Sequence, residues 1–107
     1  MKLYLGTYTK KASKGIYQLE LYQNQLTNLE LLHEVDNPTY INLDGNTLFS
    51  VVKEGSEGGI AYFKDGLLVN QVVEEGAPPC YVSSLPSKGL VFSANYHGGR
   101  VNTYALS

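Results

Sequence analysis

Asn37-Pro38-Thr39-Tyr40-Ile41 and Pro78-Pro79-Cys80-Tyr81-Val82 are one phrase written twice, roughly 41 residues apart. Other matches keep the same order. Leu3-Tyr4-Leu5, Leu48-Phe49-Ser50 and Val91-Phe92-Ser93 recur at roughly 43–45 residues, and Ile16, Ile60 and Val101 open a third equivalent set at roughly 41–44. A drift of a few residues around one period is what variable loop lengths produce. Between the matches the hydrophobicity alternates. In Gly15-Ile16-Tyr17-Gln18-Leu19-Glu20-Leu21-Tyr22, Tyr17, Leu19 and Leu21 share one face, and Ile16, Gln18, Glu20 and Tyr22 the other. Asp65-Gly66, Gly98-Gly99 and the proline-containing stretches punctuate the segments as turns. A period of about 40–45 residues with four short strands per unit is the pattern of a β-propeller blade.

The strands follow from the repeat. With A to D running from the channel outwards, the first blade (residues 1–36) has B at 2–7, C at 15–22 and D at 25–34, and lacks A. The second (37–76) has A at 39–43, B at 47–53, C at 59–64 and D at 67–74. The third (77–107) has A at 80–84, B at 90–96 and C at 100–106. The leucine-rich segment 25–34 has no credible helix cap and reads as a strand. The fold class is therefore all-β: an N-terminal part of one propeller, about two and a half four-stranded antiparallel blades. The smallest closed rings need about four blades. Open sheet edges and uncovered faces call for the remaining blades, or for self-association, to cover them.

Composition narrows the function classes. Eight Lys and Arg against ten Asp and Glu leave a net charge of −2, without the basic surplus of a nucleic-acid binder. The single cysteine, Cys80, excludes an internal disulfide and any multi-cysteine metal site, and reads as a small buried hydrophobe. No segment has the run of about 18 apolar residues that spans a bilayer, and the N-terminal apolar run breaks at Gly6-Thr7. A cytoplasmic protein with no membrane partner is the simplest reading.

Antiparallel topology sorts the loops. The A–B and C–D connections, such as Asp44-Gly45-Asn46 and Asp65-Gly66, are plain turns. The B–C and D–A connections share the other face and are chemically richer: residues 8–14, 36–38, 54–58, 75–79 and 96–99. The repeat equates Thr9, Glu54 and His97 at the end of strand B. Glu54 and His97 form a candidate acid–base or ligand-binding pair, because imidazole titrates nearest neutral pH and suits water activation. The plain alternative is a solvated loop side chain. His97-Gly98-Gly99-Arg100 lacks the Gly-x-Ser-x-Gly elbow of an esterase, and Gly55-Ser56-Glu57-Gly58-Gly59 lacks the lysine of a phosphate loop. His33 lies late in an outer strand and reads as a surface residue.

Leu5-Gly6-Thr7-Tyr8-Thr9 followed by Lys14-Gly15-Ile16-Tyr17 resembles the opening of the seven-bladed propeller lactonases, the 6-phosphogluconolactonase family. Val35-Asp36-Asn37-Pro38-Thr39-Tyr40, Ala77-Pro78-Pro79-Cys80-Tyr81-Val82 and Ala94-Asn95-Tyr96-His97-Gly98-Gly99 continue the resemblance in the family's order. It implies hydrolysis of 6-phospho-glucono-1,5-lactone to 6-phosphogluconate, a step of the oxidative pentose phosphate pathway. The partner is then a small sugar-phosphate lactone. Opening an activated ester requires an oriented water, a proton acceptor and oxyanion stabilisation, with no covalent nucleophile or cofactor. His97 is the candidate general base or oxyanion donor, and Glu54, Tyr96 and Arg100 the candidate substrate-binding residues. Further channel-lining residues would lie in later blades. The alternatives are a lactone-forming muconate cyclase, or a non-catalytic propeller segment serving as a binding module or an inert truncated copy.

Overall fold

A computed structural model describes residues 1–106. Its strands are β1 Lys2–Leu5, β2 Gly15–Tyr22, β3 Gln25–Glu34, β4 Ile41–Asp44, β5 Thr47–Glu54, β6 Glu57–Lys64, β7 Leu67–Glu75, β8 Tyr81–Leu85, β9 Leu90–Asn95 and β10 Arg100–Ala105. Among the described residues the helical structure is one 3₁₀ turn, Pro86–Lys88. No helix is long and apolar enough to cross a membrane.

The strands form three sheets in chain order, β1-β2-β3, β4-β5-β6-β7 and β8-β9-β10, each pair antiparallel. This is the all-β, partial-propeller architecture that the repeat implies. Local chemistry explains the hairpins. Gln23 and Asn24 both adopt positive φ (49° and 61°) between β2 and β3, the twist-matched geometry of a two-residue hairpin turn. β3 is a strand throughout despite its leucines. Asn28 takes the left-handed conformation (φ 56°) where the β2–β3 register shifts, and its amide donates to Glu20 Oε2 at 2.7 Å.

Several boundaries differ from the sequence reading. β1 ends at Leu5, and β4 and β8 begin one or two residues later than expected, after their proline-containing entries. The larger difference is in the second sheet. Residues 54–58 read as a loop, but β5 continues through Glu54 and β6 begins at Glu57, leaving a two-residue turn at Gly55-Ser56.

The central sheet presents two apolar faces through the period of two. Leu48, Val52, Ala61 and Phe63 point towards the first sheet and bury Ile16, with Tyr4, Leu32 and Val35 packed around them. Phe49, Val51 and Ile60 point the other way and bury Val82 and Val91 of the third sheet. Phe49 and Tyr62 stack with ring centroids 5.0 Å apart. The core is therefore two seams between adjacent sheets, so each sheet depends on its neighbour for burial.

Candidate functional site

The antiparallel order places the B–C and D–A connections along one edge of all three sheets. In the first two sheets the B–C connection is tied to the D–A linker that follows it. In the first sheet, Thr9 N–H donates to Asn37 Oδ1 (2.8 Å), Asn37 N–H donates back to Thr9 Oγ1 (3.0 Å), and Thr9 Oγ1 donates to Asp36 Oδ1 (2.5 Å). Thr9, equated with Glu54 and His97 by the repeat, is thus a structural clamp. In the second sheet, Gly76 N–H donates to Ser56 O (3.1 Å) and Ser56 Oγ to Glu75 Oε2 (3.3 Å). The linker then passes so close to β6 that a Cβ on Gly58 would stand 2.4 Å from Pro78 Cα.

The four candidate residues separate into distinct settings. Glu54 is the last paired residue of β5, opposite Glu57, and accepts a hydrogen bond from the Gln71 side chain across the sheet. It lines an exposed cleft of about 440 Å³ with Glu34, Asp36 and Lys53. His97 and Tyr96 lie in the β9–β10 turn, both exposed, their rings edge-on with centroids 5.6 Å apart. Tyr96 is 84% exposed, so its ring is free to meet a ligand. Arg100 opens β10 and reaches across the seam to Glu74 of β7, Nη2 to Oε1 3.3 Å, where Asn102 also donates. Nη2 of its guanidinium makes this half-exposed contact between sheets. His97 and Tyr96 are therefore brought together. Glu54 is engaged with Gln71, whereas Arg100, though paired with Glu74, keeps its Nε beside the turn, where a Cβ on Gly98 would stand 3.5 Å from it.

Asn95 carries no role in the sequence reading, yet it organises this edge. It is 8% exposed at the end of β9. Its Oδ1 accepts from Gly98 N–H at 2.9 Å and its Nδ2 donates to Ala77 O at 2.8 Å. The signal available in the sequence is a place that changes character along the repeat: aligning Leu3-Tyr4-Leu5, Leu48-Phe49-Ser50 and Val91-Phe92-Ser93 sets Asn95 against Val52 and Thr7.

At the opposite edge a cleft of about 280 Å³ lies between the first two sheets, lined by Tyr4, Gln18, His33, Asn46, Asp65 and apolar neighbours. His33 is half-buried, stacked on Phe63 with centroids 4.0 Å apart, and burial holds its imidazole below the ordinary histidine range. The surface reading of His33 is corrected by this stack. Cys80 is exposed, not buried as expected: its backbone N–H already donates to Ala94 O at 2.9 Å, and its thiol lies beside the same oxygen at 3.4 Å, at the outer end of the β8–β9 pair. Among the described residues no group of three or more His, Cys, Asp or Glu side chains is placed to hold a metal ion.

Comparison with known proteins sets these features in context. The family described as "Lactonase, 7-bladed beta-propeller" matches residues 2–107. An uncharacterized protein of Lactococcus lactis subsp. cremoris is 41% identical over 112 residues, covering 98% of this chain and 33% of that protein. A 6-phosphogluconolactonase of Bacillus subtilis is 34% identical over 113 residues, covering 96% of this chain and 32% of that enzyme. The crystal structure of a protein from Lactobacillus plantarum superposes with a TM-score of 0.93 at 44% identity, covering 99% of this chain and 33% of that one. The chain thus spans about a third of the length of the relatives it matches.

Proposed function

The chain belongs to the seven-bladed β-propeller lactonase family, and from that premise we propose that the protein carrying it hydrolyses a sugar lactone, 6-phospho-glucono-1,5-lactone, to 6-phosphogluconate. In this reading it serves the pentose phosphate pathway in the cytoplasm, with further blades covering the open sheet faces. The substrate is taken from the Bacillus subtilis relative, a 6-phosphogluconolactonase. The observation that carries the reading is the β9–β10 turn, which presents His97 and Tyr96 side by side, exposed, on the loop-rich edge.

The chemistry asks little more of the protein. A water attacks the lactone carbonyl carbon while His97 accepts its proton. The tetrahedral oxyanion collapses, the bond from the carbonyl carbon to the ring oxygen breaks, and the proton passes to that oxygen as it leaves as a hydroxyl. Tyr96 offers a ring face and a hydroxyl to the sugar. Glu54 joins the substrate side only by releasing Gln71, whereas Arg100 keeps its Nε beside the turn. The engagement of Glu54 with Gln71 favours one second reading, a binding module that holds a lactone or sugar phosphate without turning it over.

The test is steady-state hydrolysis by the complete propeller, above the spontaneous rate. The substrates are 6-phospho-glucono-1,5-lactone, its non-phosphorylated analogue and a muconate for the cyclase direction. Preferred turnover of the phospholactone supports the proposal. Preference for either other substrate reassigns the activity, and binding without turnover of any favours the module.

A further inference from the structure

The repeat fills the place of Asn95 differently in each blade: the first has Thr7, whose hydroxyl donates to Gly15 O at 2.6 Å within its own blade. Blade position for position, the second sheet fills this place with Val52, 2% exposed in an apolar seam. Asparagine is disfavoured in strands, and a buried carboxamide costs free energy unless both its donor and acceptor are used. Here both are used, and on two different segments. Oδ1 holds Gly98 N–H inside the turn, and Nδ2 holds Ala77 O in the linker between the second and third sheets. That linker is also held by Ser56, whose carbonyl accepts from Gly76 N–H, and it lies against Gly58. The turn bearing His97, through Asn95, and the turn following Glu54 are therefore fastened to neighbouring residues of one short linker, Ala77 and Gly76.

Without Asn95 the β9–β10 turn would have little to hold it. Its own backbone bond, Gly99 N–H to Tyr96 O, is long at 3.3 Å, and residues 96–99 are all exposed. Two adjacent glycines add conformational freedom to a loop whose neighbouring residue is the candidate base. We propose that Asn95 is a positioning residue: its carboxamide locks the turn that carries His97 and sets the placement of that turn against the Ser56 turn through the shared linker. The inference rests on the reading of His97 given above.

Valine is the informative substitution, because the second sheet shows that it suits this place. In the complete propeller, Asn95→Val is expected to leave the melting temperature unchanged or raised. Amide exchange protection at Gly98 should fall about tenfold, in line with loss of a net hydrogen bond of roughly 1 kcal/mol. Turnover should fall at least about tenfold with KM changed less than about threefold, as expected for a displaced catalytic group. Asn95→Asp keeps the acceptor for Gly98 and loses the donor to Ala77, so it should retain Gly98 protection while turnover still falls. Retained Gly98 protection and turnover in Asn95→Val would overturn the inference. So would a loss of protection spread evenly through all three sheets in both variants, which marks a purely structural role. Loss of Gly98 protection with turnover intact in both Asn95→Val and His97→Ala separates the two readings: Asn95 then still holds the turn, and His97 loses its catalytic assignment.

Discussion

His33 shows how a single side chain can carry information in its surroundings that its place in the sequence conceals. It sits on the outer strand β3, yet its ring stacks on Phe63 in the cleft that also contains Tyr4 and Asp65. Burial disfavours the imidazolium there. Because the folded-state pKa is below the ordinary value of about 6.5, the unfolded chain binds a proton more readily. The penalty is absent above that value and grows as the pH falls through it towards the folded-state pKa. The complete propeller should therefore melt at a lower temperature at pH 5 than at pH 7. His33→Phe, which keeps a ring against Phe63 without a titrating nitrogen, should flatten the difference. A wild-type and variant pair with identical pH profiles would show that the stack is not what the proton disrupts.

Among the elements, the hairpin of β5 and β6 shows best what the sequence conveys and what it hides. The alternation in Thr47-Leu48-Phe49-Ser50-Val51-Val52 identifies the strand and both of its buried faces. Gly58 looks like loop chemistry, yet it lies within β6 together with Gly59, where the strand is expected to open. They are there because backbone crowds them. A Cβ on Gly59 would come within 1.8 Å of Val72 O on β7. Single-sequence reading takes glycine for a turn because the crowding comes from residues distant in the chain. Gly59→Ala should thus destabilise by about 1–3 kcal/mol as β6 and β7 are forced apart, measurable by chemical denaturation. Gly45→Ala is the comparison for a position where the added carbon has no neighbour within 4 Å and only the positive φ matters. Equal losses at the two sites would argue against the crowding. Asn95 escaped the sequence reading for the same reason: its meaning lies in Ala77, which only the assembled sheets bring near.

The whole molecule was legible in outline because a repeat is a long-range signal carried by local sequence. Order, period and alternation gave three sheets and a loop-rich edge. They did not give the site, since side-chain partners such as Gln71 for Glu54 and Glu74 for Arg100 cross between strands and sheets. Burial resides in seams between neighbouring sheets, and the third sheet leaves Val101 74% and Tyr81 45% exposed. On its own, this 11.8 kDa chain should associate with itself, sedimenting above its monomer mass at tens of micromolar. A stable monomer with cooperative unfolding would mean that these sheets need no neighbours. In the proposed function the loop-rich edge of these blades carries the lactone chemistry, with His97 as its proton acceptor. This assignment is tested most directly by the turnover number of the complete propeller on 6-phospho-glucono-1,5-lactone, measured for the unaltered protein and for His97→Ala at matched melting temperature. The account predicts a loss of about a hundredfold or more, the scale of a missing general base. Turnover within twofold of the unaltered protein would contradict it.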